Sequence, residues 1–169
     1  FIALSQENKV LSPRNANYNM DVKLDVEKKT IDGQMQLSWR NISLDTLTNL
    51  QFHLYLNAFK NSESTFMKES GGGFRGSRAG VDELSWGYCE ILDMQVENGE
   101  NLTNKIKFIQ PDDDNKKDQT VFRVALSDSI LPGESIVIHF KFKSKLPKIF
   151  ARTGFAGNYF FAGQWFPKI

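Results

Sequence analysis

Only two histidines, His53 and His139, and one cysteine, Cys89, offer imidazole or thiol chemistry in the 169 residues. Zinc-dependent peptide hydrolysis usually needs two imidazoles one helical turn apart with a glutamate beside the first, the H-E-x-x-H arrangement. The sequence has no such run. His53 and His139 alternate with apolar neighbours, at positions that read as the wet faces of strands, so both are expected at the surface or at an interface. Nothing in their spacing brings carboxylates to them, and no metal ligand is assigned. One cysteine excludes an internal disulfide and a cysteine-rich zinc site. Cys89, between Tyr88 and Glu90, is expected as a small buried hydrophobe. No G-x-S-x-G elbow presents a serine nucleophile, so no catalytic residue is assigned either.

Two loops superficially suggest ligands. Gly71-Gly72-Gly73-Phe74-Arg75-Gly76 could aim backbone N–H groups at an anion, but the Gly-Lys-Ser/Thr ending of a P-loop is missing. It reads as a surface loop whose Arg75, with Arg78 beyond it, could meet an acidic partner. Asp112-Asp113-Asp114 resembles an oxygen-rich calcium site, yet the EF-hand glycine and terminal glutamate are absent and Lys116-Lys117 follow at once. A solvated loop is expected there. Asn41-Ile-Ser43 and Asn101-Leu-Thr103 match the N-glycosylation acceptor pattern, which matters only in a eukaryotic secretory setting.

These residues need elements to hold them, and the dominant pattern is alternation of period two. Tyr18, Met20, Val22, Leu24 and Val26 are separated by polar residues, as are Met35, Leu37 and Trp39. The same holds for Leu50, Phe52, Leu54 and Leu56, and for Ile136, Ile138, Phe140 and Phe142. Each is expected as a strand with one apolar and one wet face. Asp32-Gly33 is a hairpin-type turn signal between the first two, and Leu131-Pro132-Gly133-Glu134 marks a second turn. Further strands are expected at 88–96, 104–109, 120–126 and 155–164, and a short helix at 62–69 capped by Ser62 or Ser64. About eight strands with one-sided alternation predict an all-β chain, an antiparallel β-sandwich or a saddle-shaped pair of sheets.

With 21 basic and 20 acidic residues the net charge is +1. That balance lacks the basic excess of a nucleic-acid binder, and no nucleic-acid partner is expected. No run approaches the roughly 18–20 apolar residues of a transmembrane helix. The opening Phe1-Ile2-Ala3-Leu4-Ser5 reads as a stub left by signal removal or as an arbitrary start.

Two stretches carry a resemblance. The first holds Thr30-Ile-Asp-Gly33, Asn41-Ile-Ser43 and Leu50-Gln-Phe52-His-Leu54-Tyr-Leu-Asn57, in that order. The second is Gly163-Gln-Trp165-Phe-Pro167-Lys-Ile169. Together they resemble the N-terminal β-domain of the aminopeptidase N-type zinc metallopeptidases (gluzincins, family M-one), the Gln-Trp-Phe-Pro variant being similar to bacterial members. The resemblance spans nearly the whole chain.

It implies one non-catalytic β-domain over 1–169, a protein fragment inert alone, with the catalytic domain expected after Ile169. That domain would carry the zinc ligands, the general base and a G-x-M-E-N motif. The implied partners are this catalytic domain and, for the parent aminopeptidase, a peptide substrate attacked by metal-activated water. In the family the β-domain helps close the substrate pocket and supplies a Gln or Glu that accepts from the substrate ammonium. Gln164 is the residue carried over to that substrate-binding role; the other reading is a strand-edge glutamine at a domain interface. Arg14 and Trp165 are expected to be structural. The family and the apolar start imply an extracytoplasmic location, periplasmic or secreted. The alternative is a free-standing β-sandwich module binding protein or carbohydrate, suggested by Trp86, Tyr88, Tyr159, Phe160 and Trp165 near predicted strand ends.

Overall fold

A computed structural model describes residues 13–71, 85–149 and 151–169. The Phe1–Ser5 start, the Gly72–Gly76 stretch, Arg75 and Arg78 lie outside the described residues.

The chain is all-β, with antiparallel sheets. Its described strands are β1 (Ala16–Asp25), β2 (Thr30–Arg40), β3 (Leu47–His53), β4 (Tyr88–Val96), β5 (Lys107–Ile109), β6 (Val121–Ile130), β7 (Ser135–Lys145), β8 (Gly154–Ala156) and β9 (Tyr159–Phe161). One sheet has the order β1-β2-β7-β4, a second β3-β6-β5, and β8 pairs with β9. The inner faces of the two larger sheets supply the core. Met35, Leu37, Ile138, Phe140, Phe142 and Met94 come from the first, and Leu50, Phe52, Phe122 and Val124 from the second; all are buried. Phe52 stacks on Phe122 at 5.1 Å and meets Phe140 edge-on at 5.5 Å, so aromatic rings fasten sheet to sheet. Among the described residues no helix is long and apolar enough to cross a membrane.

Several sequence expectations are corrected. Asp32-Gly33 is no turn: the chain reverses at Val26–Lys29, with Lys29 at φ 59°, and Gly33 pairs within β2 opposite Val22 and Phe142. A Cβ on Gly33 would lie 2.3 Å from the Phe142 ring, so glycine is there to admit that ring. Leu54 and Leu56 are buried as expected, but β3 ends at His53 and a 3-10 turn, Tyr55–Phe59, carries the chain on. The apolar side of β1 is covered only in part: Tyr18 and Met20 pack on the core, whereas Val22 is 45%, Leu24 41% and Val26 53% exposed. The 155–164 stretch forms a tight hairpin, not one strand. The expected helix, α1, is Thr65–Glu69, and Ser64 caps it by accepting from the Met67 N–H at 3.2 Å.

Candidate functional site

Gly33, His53 and the 163–169 run, three of the parts carrying the resemblance, come together near the end of the chain, whereas Asn41 lies apart, bonded to Asp45 and Ile130. Beyond β9 the chain returns to the end of β3, where His53 and Lys168 form a single bridge with backbone hydrogen bonds of 2.7 and 3.1 Å. The Ile169 N–H donates to Tyr18 Oη of β1 at 3.2 Å. Ser144 Oγ of β7 donates to the Trp165 carbonyl at 2.6 Å. The tail therefore closes one side of the sandwich, touching both sheets. Trp165 rests on Phe142 with centroids 5.9 Å apart, and Phe166 meets Trp165 at 5.4 Å and Tyr18 at 5.3 Å. Since Gly33 admits the Phe142 ring and Trp165 covers it, the Ile-Asp-Gly and Gly-Gln-Trp-Phe-Pro runs touch through one aromatic side chain. Trp165 is partly buried in this aromatic cluster.

Gln164 is exposed on this tail, at φ 53°, a conformation in which a non-glycine residue is held only by its surroundings. Its Oε1 accepts from Lys168 Nζ, and that ammonium also lies 4.9 Å from the centre of the Phe166 ring. The acceptor that an amine ligand would use is engaged by a cation of the same chain. A ligand ammonium would have to displace Lys168 or share the oxygen with it.

Beside the tail, β8 and β9 are pinned by Lys29. Its ammonium lies 5.1 Å from the Phe155 centroid and 5.0 Å from that of Phe160, and donates to the Gly157 carbonyl at 3.2 Å. Phe155 and Phe160 turn inward, which leaves Tyr159 63% and Phe161 51% exposed. Thr153, itself buried, ties the hairpin to the tail: its Oγ1 donates to Phe161 O at 3.2 Å and accepts from the Gly163 N–H at 3.3 Å. Tail and hairpin thus form a built corner carrying exposed aromatic and apolar surface.

The remaining predicted residues serve elsewhere. His53 ends β3 in the second sheet, and His139 lies on β7 in the first, 3.3 Å from Glu97. Both are exposed. Burial around the His53 ring lowers its pKa; Asp118 and Asp112 pull upward and Lys168 downward. Its ring meets Tyr55 edge-on at 5.6 Å. Cys89 is buried and its thiol is pushed up to about 12, mainly by that burial. Among the described residues no group of three or more His, Cys, Asp or Glu side chains could hold a metal ion.

The acidic loop is largely exposed, as expected, but Asp118 is buried and the loop braces a helix. Asp118 accepts from the Thr65 N–H at 3.0 Å, Asp113 accepts from Thr65 Oγ1, and Asn115 donates to Glu63 O at 2.8 Å, so the loop caps α1. Asn41 is buried and its side chain donates to Asp45 O and Ile130 O at 2.8 and 3.1 Å, which makes it a loop staple. Asn101 is exposed, donates to Asp93 and accepts from the Thr103 N–H. Arg14 is exposed, and Trp86 packs partly on the core.

Sequence reading missed one feature, a cleft of about 500 Å³ between β4 and β5, lined by Asn57, Tyr88, Glu90, Ile106, Phe108 and others. Edge strands of different sheets meet there, and no local motif records which edges become neighbours. No family model matches the chain, and no curated protein matches it.

Proposed function

We propose that this chain is the N-terminal, non-catalytic β-domain of a zinc aminopeptidase-like protein, which packs on a catalytic domain and helps shape its peptide pocket. One observation carries the reading: the two resembling runs, more than a hundred residues apart in sequence, interlock as Gly33–Phe142–Trp165. Residues brought together by packing are those a shared fold would hold in common. Scattered chance matches have no reason to touch. The exposed Tyr159–Phe161 corner beside Gln164 supplies apolar surface for such a docking. Gln164 is the proposed contact to a substrate amine, reached once Lys168 is displaced.

The reading frame beyond Ile169 tests this. It is expected to encode G-x-M-E-N and H-E-x-x-H, and the 169-residue chain is expected to cleave no aminoacyl-anilide and to retain no stoichiometric zinc. A stop codon directly after Ile169, or aminopeptidase activity in the purified chain, overturns it. The exposed Tyr159 and Phe161 also favour a second reading, a protein- or carbohydrate-binding module. Saturable glycan or protein binding, lost on replacing both rings with serine, is its signature.

A further inference from the structure

We propose that a second copy of this chain pairs with the outer edge of β1, in antiparallel register about Val22, to join two four-stranded sheets into one. This stands independently of the aminopeptidase reading.

β1 is an edge strand ten residues long, paired with β2 in an unbroken register from Ala16↔Trp39 to Asp25↔Thr30. Asn15 O accepts from the Arg40 N–H at 2.8 Å. In an antiparallel ladder the bonded pairs alternate, so odd-numbered residues of β1 bond β2 and even-numbered ones aim N–H and C=O at the outer edge. Among the described residues, no backbone group pairs with that outer edge. Ala16–Asp25 has no proline, no bulge and no charge pointing inward; its edge charges, Asp21 and Lys23, sit on the outer face, where a second copy in register would pair them. The inward side instead carries Val22 and Leu24, 45% and 41% exposed.

In the register centred on Val22 the sequence of β1 is complementary to itself. With Val22 opposite Val22 of the second copy, Asp21 faces Lys23 and Lys23 faces Asp21, while Met20 and Leu24 face each other twice. The bonded pairs of this register are the even-numbered residues whose backbone groups point outward. A one-residue slip turns the apolar side of one copy against the polar side of the other. A two-residue slip sets Asp21 against Asp21 or Lys23 against Lys23, which is repulsive. The two-fold register about Val22 therefore satisfies backbone, apolar face and charge together, as a closed isologous dimer requires.

Charge exchange at Asp21 and Lys23 tests occupant and register together. Sedimentation velocity on the 169-residue chain is expected to show a concentration-dependent dimer. Asp21→Lys alone sets lysines against lysines, Lys23→Asp alone sets aspartates against aspartates, and each is expected to weaken self-association about tenfold or more. An equimolar mixture of the two variants restores opposite charges at both positions and is expected to recover the dimer. Val22→Pro removes only an outward N–H, so it is expected to abolish the dimer with the β-sheet circular dichroism unchanged. A wild-type chain that stays monomeric at all concentrations overturns the proposal. So do single variants that dimerise like wild type, or a mixture that fails to restore the dimer.

Discussion

Asn57 is buried where three segments meet, and both ends of its amide are engaged. Its Oδ1 accepts from the Cys89 N–H at 2.9 Å and its Nδ2 donates to Gln119 O at 2.8 Å. Asn57→Ala strands both backbone groups, so urea unfolding should show a loss of about 2–4 kcal/mol. Its neighbour Cys89, with a thiol near 12, is expected to ignore an aromatic disulfide reagent in the native state. At about pH 8 roughly one such thiol in ten thousand is ionised. Labelling in step with unfolding checks this, and fast native labelling contradicts the burial. At Gly33 an added Cβ collides with the Phe142 ring. Gly33→Ala should cost about 1–3 kcal/mol, and Phe142→Leu in the same chain should cost less than its own single effect predicts, because the leucine frees that space. These residues also show the limit of local reading. Gly33 reads from sequence as a turn glycine, and only the fold shows it inside β2 as the seat of a ring from a distant strand. Asn41 and Asn57 were legible as motif residues, though their partners, Ile130 and Gln119, lie far along the chain.

At the scale of elements, alternation told correctly which side of β2, β3 and β7 turns inward, because a pleated strand separates its faces residue by residue, while in β4 a bulge between Ile91 and Asp93 breaks the pattern. It could not show where β3 stops. Leu54 and Leu56 stay buried in the 3-10 turn, so their spacing looks the same in either conformation. Nor could it show that Lys29 would hold a hairpin over a hundred residues away. That contact lets a prediction separate pinning from mere packing. Lys29→Met keeps most of the side-chain volume but removes the cation from Phe155 and Phe160 and the bond to Gly157. Amide exchange across Gly154–Phe161 should accelerate by several-fold, consistent with about 1 kcal/mol for a partly desolvated cation–ring contact. Exchange in β2 and β7 should stay unchanged. Uniform acceleration throughout the sheet would mean that Lys29 acts on global stability instead.

For the whole molecule, one-sided alternation implied two sheets over a common core, yet the order β1-β2-β7-β4 was not legible, because faces do not name neighbours. The tail is the clearest case: only the folded chain sets Lys168 beside His53 and thereby places a histidine among Tyr55, Lys168, Asp112 and Asp118. Burial there lowers the imidazole pKa below its ordinary 6.5 in the folded state. The unfolded chain then binds a proton more readily than the native one as pH falls past that value. Stability from the neutral ring is fully present above 6.5, and is lost as pH falls through the folded pKa. The carboxylates act in a separate, more acidic window. Asp25, Glu100 and Asp113 have pKa values lowered from 3.8, 4.5 and 3.8, so their contributions fade only below that range. In Glu100 burial opposes the charge, but Lys105 and Ser127 together outweigh it. Two steps are therefore expected in melting temperature on acidification, and His53→Gln should flatten the first alone. Parallel curves for wild type and variant from neutrality down to about pH 5 would assign that step to other groups.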